Sequence, residues 1–375
     1  MSDTYRRYRA IKHGMMQFYQ PRPTGHHEKH FNTLAALICG LVGGKHAHLP
    51  ACADHAPSNR AKQESVIERF RRFLKNDRHS IDGWFSPIAK ELLRTLAAQP
   101  LHLVMDGSVV GRGCIALMLS VVYHGRALPL CWLVARGSKG HFPEQTHREL
   151  LSQLQAILPA GATVIFLGDG EFDGIELQAD LHSYGWHYVC RTASNLLVTC
   201  AGVTFHLSAL GPARGEYLAV SPAAMTAKQY GPLSILALWD AHEQAPLYLV
   251  TNLVDLDEAV RLYKKRAHIE TFFSDQKSRG FQIHKSHLSQ PARLSRLLIA
   301  SCLAYIWMVY LGVCALQADW MKLLHRTDRC DLSLFRLGVR LLARCLKDDR
   351  PIPDGFVVPA ELPVTLVRTF HKPAA

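Results

Sequence analysis

The sequence has few charged residues and no cysteines spaced as a metal or disulfide motif would require. Charged residues make up 20% of its 375 residues and hydrophobic residues 48%, a balance that excludes a disordered chain. Its ten cysteines include no CxxC pair and lie mostly within apolar runs, which argues against a disulfide framework and a zinc ribbon. The sequence also has no internal repeat. We expect a globular protein of two or three domains with free thiols, as in a reducing compartment.

The N-terminal sequence lacks a secretory signal, because no apolar stretch follows its basic residues. Segment 297–318 has 22 consecutive residues without a charge, which is long enough to span a membrane. A buried core helix fits the same pattern, and Ser301, Gly312 and Gln317 interrupt the apolar run. We favour the core helix because there is only one such segment. We therefore predict a cytoplasmic protein without membrane contact, and a membrane enzyme is the remote alternative.

Positive charge exceeds negative charge, and the excess is concentrated in two segments. Lys and Arg total 43 against 31 Asp and Glu, a formal net charge of +12. Residues 1–100 hold 16 basic and 8 acidic residues and residues 261–300 hold 9 and 2, so these segments carry +8 and +7. The rest of the chain is slightly acidic. The expected partner is a polyanion, either nucleic acid or an anionic membrane surface.

Residues 1–98 are predicted to form a helical domain. A helix from about residue 58 to 76 has apolar residues such as Phe70 on one face, and its other face is basic, with Arg69, Arg72 and Lys75. A basic face of this kind is either an ordinary solvated surface or a nucleic-acid-binding surface, and the helix alone does not decide between them.

The pattern of residues 99–330 predicts an α/β domain built on a mixed sheet covered by helices. The predicted order is β-β-β-α-β-α-β, with strands at 101–106, 114–125, 127–136, 163–169 and 186–192 and helices at 143–158 and 174–184. A β-rich insertion at about 193–255 follows, and then a helix that runs from 256 to about 279. Residues 331–375 are predicted to form a C-terminal helix and a Pro-rich tail.

Two aspartates occupy the ends of predicted strands. Asp106 ends the first strand in VMDGS, and Asp169 ends the fourth in FLGDGEFDG; each is followed by glycine. Such positions present ligands to a metal or substrate in α/β sheets, but a single Asp before Gly is also a common turn or cap residue. Glu171 and Asp173 in the same loop are alternatives to Asp169.

A polar stripe follows in the predicted helix that begins at residue 256. Arg266, Glu270 and Lys277 lie 3, 7 and 14 positions after Tyr263, which on a continuous helix places all four within an arc of about 60°. The stripe either lines a cleft or is an exposed surface on which Arg266 and Glu270 pair.

The spacing of these four residues, Y-(2)-R-(3)-E-(6)-K, resembles the signature of the insertion-sequence-4 group of bacterial DDE transposases. VMDGS resembles the family block that holds the first catalytic Asp, and GDGEFDG resembles the second block. The helical N-terminal region, the strand order and the β-rich insertion agree with this resemblance. It implies an RNase H-like catalytic core preceded by a DNA-binding domain.

The resemblance implies that Asp106, Asp169 and Glu270 are the catalytic acids and hold two Mg²⁺ ions, for which Mn²⁺ can substitute. It also implies that Arg266 and Lys277 bind DNA phosphates and that Tyr263 contacts a phosphate or sugar. Arg69, Arg72 and Lys75 are then DNA-binding residues of the N-terminal domain. Trp239, in the insertion, is the candidate for stacking on a flipped base, although a core Trp is the more common occurrence in a strand such as LSILALWD.

The function that the resemblance implies is DNA transposition. Such an enzyme binds the terminal inverted repeats of an insertion sequence in double-stranded DNA, cleaves at the element ends, and joins the 3′-hydroxyl ends to target DNA. Because two ends are handled together, we expect a homodimer in the DNA complex and a cytoplasmic, nucleoid-associated location. The alternatives are an inactive remnant that only binds the ends, and an RNase H-like nuclease without strand transfer.

Overall fold

The structure is a computed structural model that describes residues 1–58, 60–138, 142–317, 320–325 and 330–362. Helices cover most of the first hundred residues: α1 (Asp3–Met16), α2 (Gly25–Gly44), α3 (Leu49–Asp54), α4 (Gln63–Lys75), α5 (Ile81–Trp84) and α6 (Ser86–Leu96). The helical prediction for this region is therefore confirmed. In α4 the residues at helical spacing are buried, Phe70 and Phe73 among them, because one face of the helix packs into the core.

Five strands and two helices follow in the predicted β-β-β-α-β-α-β order. They are β1 (Leu101–Gly111), β2 (Cys114–Tyr123), β3 (Arg126–Arg136), α7 (Glu144–Gln155), β4 (Val164–Gly168), α8 (Ile175–Ser183) and β5 (His187–Thr192). In the sheet the order is β3-β2-β1-β4-β5, where β1, β2 and β3 are antiparallel and β1, β4 and β5 are parallel. This mixed sheet with flanking helices is the predicted RNase H-like arrangement.

Strand β1 is longer than the sequence predicts. The prediction ended it at Asp106 because glycine follows, but the strand continues to Gly111. The reason is a long-range pairing: β2 accompanies β1 past this point, with Gly107 opposite Leu117. The neighbour on the other side, β4, pairs only with 101–104. Asp106 therefore lies within a strand, at the point where that strand loses one of its two neighbours.

The predicted insertion extends the same sheet. Its strands are β6 (Leu197–Cys200), β7 (Val203–His206), β8 (Tyr217–Met225), β9 (Tyr230–Leu238) and β10 (Leu247–Thr251). Strand β10 pairs antiparallel with β5, and the ten-stranded order is β3-β2-β1-β4-β5-β10-β9-β8-β6-β7. The insertion and the core strands therefore form one hydrogen-bonded sheet.

The helix predicted from 256 to 279 is not continuous, and this part of the prediction is wrong. Helix α9 (Leu256–Tyr263) leads into a 3₁₀ turn (Lys264–Ala267), which is followed by α10 (His268–Gln276). The tighter turn contains Arg266, which forms ion pairs with carboxylates of other elements. Lys277 has left the helical conformation, with φ −99° and ψ −108°.

The long uncharged segment forms the core helix α11 (Pro291–Gln317), followed by α12 (Met321–Leu324) and α13 (Leu334–Lys347). Helix α11 is long and apolar enough to cross a membrane, but 89% of its most apolar window is buried inside the structure. Gly312 and Gly338 let α11 and α13 approach closely, because a Cβ at either glycine would meet backbone atoms of the other helix. Residues 363–375 of the predicted tail lie outside the described part.

The N-terminal helices and the C-terminal helices share one hydrophobic core with the sheet. Arg296 of α11 donates from Nε to the His79 carbonyl oxygen at 3.1 Å and from Nη1 to that of Leu74 at 2.9 Å. Arg6 of α1 donates to the carbonyl oxygens of Cys345 and Leu346 at the end of α13, both at 3.0 Å. These links, buried at Arg296 and part-buried at Arg6, join the helical region to α11 and α13.

Candidate active site

The register of two parallel strands brings Asp106 and Asp169 together. Val104 of β1 lies opposite Leu167 of β4, so continuing the register by two residues places Asp106 opposite Asp169, one strand spacing of about 4.8 Å away. One oxygen of each carboxylate accepts a local backbone hydrogen bond: Asp106 Oδ1 from Gly107 at 2.7 Å, and Asp169 Oδ1 from Glu171 at 3.0 Å. These bonds leave the two Oδ2 atoms for other partners.

Arg266 contacts all three predicted acids. Its Nη2 atom lies 2.7 Å from Asp169 Oδ2 and 3.5 Å from Asp106 Oδ2. Its Nη1 atom lies 3.1 Å from Glu270 Oε1, one helical turn further along the chain. The structure thus brings together carboxylates from β1, from the end of β4 and from α10 around a single guanidinium.

The site is deep at the aspartates and open at Glu270. The exposed fraction of the side chain is 17% for Arg266, 20% for Asp106 and 28% for Asp169, but 62% for Glu270. The Nε atom of Arg266 is buried and has no hydrogen-bond partner in the described part of the chain. Glu270 is therefore the most exposed of the three acids, and the two aspartates lie deeper beside Arg266.

The three acids carry more negative charge than Arg266 balances. The pKa of Asp106 is raised to about 6, chiefly by burial and also by the neighbouring charges of Asp169 and Glu270, while Arg266 acts in the opposite direction. Three carboxylates against one guanidinium leave a net negative site when all are ionised. A site of this kind favours additional cations.

Lys277 and Tyr263 complete the predicted set of four. Lys277 Nζ donates to Ser108 Oγ at 2.6 Å, and burial lowers the pKa of this ammonium while nearby Asp106 opposes the shift. Tyr263 is half-buried, and the pKa of its phenol is raised by burial, with Arg266 close enough to oppose that shift. The four residues lie at one site, on a helical segment that a 3₁₀ turn interrupts at Arg266.

The two alternative acids have partners elsewhere. Glu171 Oε1 accepts from the backbone nitrogen of Phe142 at 2.6 Å and lies 3.3 Å from His147 Nε2. Asp173 Oδ2 accepts from Thr192 Oγ1 at 2.6 Å. Both carboxylates hold neighbouring segments in place, whereas Asp169 is the acid of this loop that contacts Arg266.

The donor set fits a hard divalent cation. In the conformation observed, no group of three His, Cys, Asp or Glu residues among those described is close enough to hold a metal ion. Each of the three carboxylates instead contacts the Arg266 guanidinium, which places one positive charge between them. Carboxylate oxygens are the ligands that Mg²⁺ prefers, so these acids suit Mg²⁺ better than they would suit a softer metal.

Trp239 lies at the same edge of the sheet as Asp169 but not beside it. It directly follows β9, which is three strands from β4 across β5 and β10, a distance of about 14 Å at normal strand spacing. Its indole nitrogen donates to the Glu243 carbonyl oxygen at 3.0 Å, and the Arg214 guanidinium carbon lies 5.4 Å from the ring centroid. Trp239 is partly exposed and is not a fully buried core residue.

The three predicted cations of α4 lie apart from the acids. Arg69 is half-buried and donates to the Pro57 carbonyl oxygen at 3.4 Å. Arg72 is exposed and its Nε atom lies 3.2 Å from Glu68 Oε1, one turn earlier in the helix. Lys75 is exposed at the end of α4. The structure thus leaves Arg72 and Lys75 on the surface, while Arg69 also contacts a neighbouring loop.

The sequence reasoning missed one residue of the site and one buried ion pair of α10. Ser108 follows Asp106 by two positions in the strand, so alternation along β1 would have found it. A buried ion pair joins Asp275 of α10 to Arg126 at the start of β3, with 3.0 Å between Asp275 Oδ2 and Arg126 Nη1. Burial raises the pKa of Asp275 to about 6, against the opposing effect of Arg126. No local pattern could have paired these two residues, which are 149 positions apart.

Comparison with known proteins identifies the family. The family model described as "Transposase DDE domain" matches residues 97–307, more than half of the chain. Among solved structures, the chain is similar to a protein in "Cryo-EM structure of piggyBac transposase synaptic complex with hairpin DNA", with 13% identity, a TM-score of 0.44, and coverage of 96% of this chain and 86% of that chain. No relative was found among curated proteins. On the strength of the family match, the chain belongs to the DDE transposases.

Proposed function

We propose that this protein is an active transposase of the insertion-sequence-4 group. It binds the terminal inverted repeats of an insertion sequence, cleaves DNA at the element ends, and joins the 3′-hydroxyl ends to target DNA. The observation that carries the proposal is the meeting of three acids from separate elements around Arg266. The fixed spacing of Tyr263, Arg266, Glu270 and Lys277 supports the choice of group.

Asp106, Asp169 and Glu270 are the residues that would hold two Mg²⁺ ions, or Mn²⁺ in their place. The net negative charge of the site and its oxygen ligands support this assignment. Bound ions of this kind activate water or a 3′-hydroxyl and stabilise the leaving oxygen of a phosphodiester. The carboxylates act as ionised ligands and do not transfer protons.

The cations of the site would hold the DNA strand beside these acids. Arg266 can bind a phosphate with two parallel hydrogen bonds, and Lys277 can bind one as a point charge. Tyr263 would donate to a phosphate or pack on a sugar. Trp239, at the same edge of the sheet, is the residue that we propose for stacking on a base flipped out of the duplex.

The helical region would recognise the element ends, through Arg69, Arg72 and Lys75 of α4. Arg72 and Lys75 are exposed, which supports a phosphate-binding role; half-buried Arg69 would have to exchange its contact with Pro57 for a phosphate. Because two ends must be cut and joined together, the complex would contain at least two copies of the chain. The protein would act in the cytoplasm, at the nucleoid.

The proposal is tested by cleavage of a duplex that contains one element end, in Mg²⁺. We expect Glu270→Gln and Asp106→Asn to lower the cleavage rate by about 100-fold or more, since loss of a ligand costs at least as much as loss of the residues that support one. Glu149→Gln is the matched control, because it neutralises an exposed carboxylate of α7, an element that supplies none of the three acids. Near wild-type cleavage by either site variant would refute the assignment.

Two further outcomes separate the alternatives. End-specific binding without cleavage in Mg²⁺ or Mn²⁺ would show an inactive remnant that only occupies the ends. Cleavage without a joined product from a pre-cleaved end would show a nuclease without strand transfer. The DNA around the gene supplies an independent test, because terminal inverted repeats bracketed by short direct repeats mark an insertion sequence.

A further inference from the structure

A cleft of about 350 Å³ lies between the helical region and the segment that follows α10. Its lining contains no acidic residue and brings together cations and imidazoles from three parts of the chain: His48, Arg71, Lys75, His287 and Arg293. The larger cleft of about 880 Å³ beside α4 includes the carboxylates of Glu64 and Glu68. The smaller cleft is therefore the more suitable of the two for an anion.

The cations of this cleft are available for a ligand. Lys75 and Arg293 form no ion pair with an acid in the described part of the chain, and Lys75 is exposed. Arg71 makes one long contact, 3.7 Å to Glu68. Like charges held together without acidic partners repel each other, so their arrangement favours occupation by a polyanion.

Two histidines form one wall of the cleft. The rings of His48 and His287 meet edge to face, with 4.8 Å between their centroids. His287 has φ 62°, a left-handed conformation that residues other than glycine seldom adopt. The following residue, Leu288, is fixed by a 3.0 Å hydrogen bond from Arg112 to its carbonyl oxygen. This wall is therefore attached to the tip of the β1–β2 hairpin.

The attachment sets the distance from Asp106 to the side of the cleft that Leu288 lines. Gly111 contacts the backbone of Leu288, since a Cβ at this glycine would lie 2.8 Å from the Leu288 carbonyl oxygen. Five residues of β1 separate Gly111 from Asp106, or about 17 Å at 3.3 Å per residue. Duplex DNA rises about 3.4 Å per base pair, so this distance corresponds to about five base pairs.

We propose that this cleft binds backbone phosphates of the DNA duplex about five base pairs from the phosphate that is cut, with Lys75 and Arg293 as its main contacts. The proposal rests on the proposed function of the acids and adds a second contact point outside the catalytic residues. It also places Lys75 beside two parts of the catalytic region. These are residues 286–288, which follow Lys277 in the chain, and Arg293 near the start of α11.

The test compares wild-type protein with the double variant Lys75→Gln/Arg293→Gln in binding to a duplex that contains an element end. Each phosphate contact contributes about one unit to the slope of log affinity against log salt. We expect the double variant to bind more weakly and with a slope reduced by about 2. Lys347→Gln, an exposed cation of α13 outside the cleft, is the control and should change neither quantity by as much. Equal melting temperatures check that the variants fold.

The position of the cleft along the DNA is tested with two duplexes, each shortened on a different side of the cut site. The difference between wild type and double variant should disappear when one of the two flanks is cut to fewer than about four base pairs. If the double variant keeps wild-type affinity and salt slope, or if the difference persists with both shortened duplexes, the cleft does not bind phosphate at this place. These are binding measurements, so they decide the proposal even if the protein does not cleave DNA.

Discussion

Replacing Arg266 with alanine should tighten the binding of Mg²⁺ to the DNA-free protein. The guanidinium lies 2.7 Å from Asp169 Oδ2 in a largely buried contact, and a charge-assisted hydrogen bond of this kind contributes about 2 kcal/mol net. The contact with exposed Glu270 adds little. A metal that takes these carboxylates must displace Arg266, so removing the arginine should raise metal affinity by about 30-fold.

The measurement is a calorimetric titration of Mg²⁺ or Mn²⁺ into the protein without DNA. Without metal, we expect Arg266→Ala to unfold at a lower temperature than wild type, because the three carboxylates then repel each other with no guanidinium between them. Metal should raise its melting temperature by more than that of wild type. With DNA bound, the same variant should cleave more slowly, because one phosphate contact beside the acids is lost.

Lys264→Ala is the matched control, since it removes one positive charge from the same turn at an exposed position. If Arg266→Ala binds metal no more tightly than Lys264→Ala, the arginine does not compete with a cation and the three carboxylates are not a shared ligand set. If Arg266→Ala weakens DNA binding but leaves the cleavage rate of bound DNA unchanged, its proposed role beside the cut phosphate is wrong.

Three other predictions concern stability. Burial lowers the pKa of His79 to about 4 from an ordinary 6.5, so stability should fall by up to about 3 kcal/mol as pH drops from 6.5 to 4, and His79→Gln should flatten this dependence in melting curves. Asp275→Asn leaves Arg126 buried without its carboxylate and should lower the free energy of unfolding by about 3 kcal/mol in urea titrations, which a change under 1 kcal/mol would contradict. Gly338→Ala should lower the free energy of unfolding by about 1–3 kcal/mol, because the added methyl meets the Met308 carbonyl oxygen of α11; an unchanged urea midpoint would contradict this.

The strands of the core could be predicted because each is an apolar run bounded by turn residues. The end of β1 could not, because Gly107 is held in the strand by Leu117 on β2, and such pairings are not visible in a local pattern. The same limit applies to the insertion, whose strands were predicted but whose attachment to β5 through β10 depends on long-range pairing. Local patterns therefore predicted the elements, and long-range pairing determined their lengths and neighbours.

The sequence predicted which residues belong to the candidate site, but it did not predict how they are arranged. The spacing from Tyr263 to Lys277 selected residues that do converge, but it assumed a continuous α-helix, whereas a 3₁₀ turn interrupts the helix at Arg266. Arg266 forms ion pairs with Asp106 and Asp169, which are far away in the chain. The register between β1 and β4, which sets those aspartates side by side, leaves no trace in the sequence of either strand.

The single ten-stranded sheet fixes distances in two directions, along its strands and across them. Along β1, the hairpin tip and the basic cleft stand about 17 Å from Asp106; across the strands, Trp239 stands about 14 Å from the strand that ends at Asp169. The covalent rise per residue sets the first spacing and hydrogen bonds between strands set the second, so lengthening the loop between β9 and β10 would change neither. Inserting a strand would move Trp239 by one strand width and leave the cleft in place. A DNA segment that contacted Asp106, the basic cleft and Trp239 together would have to match these spacings, whatever its base sequence.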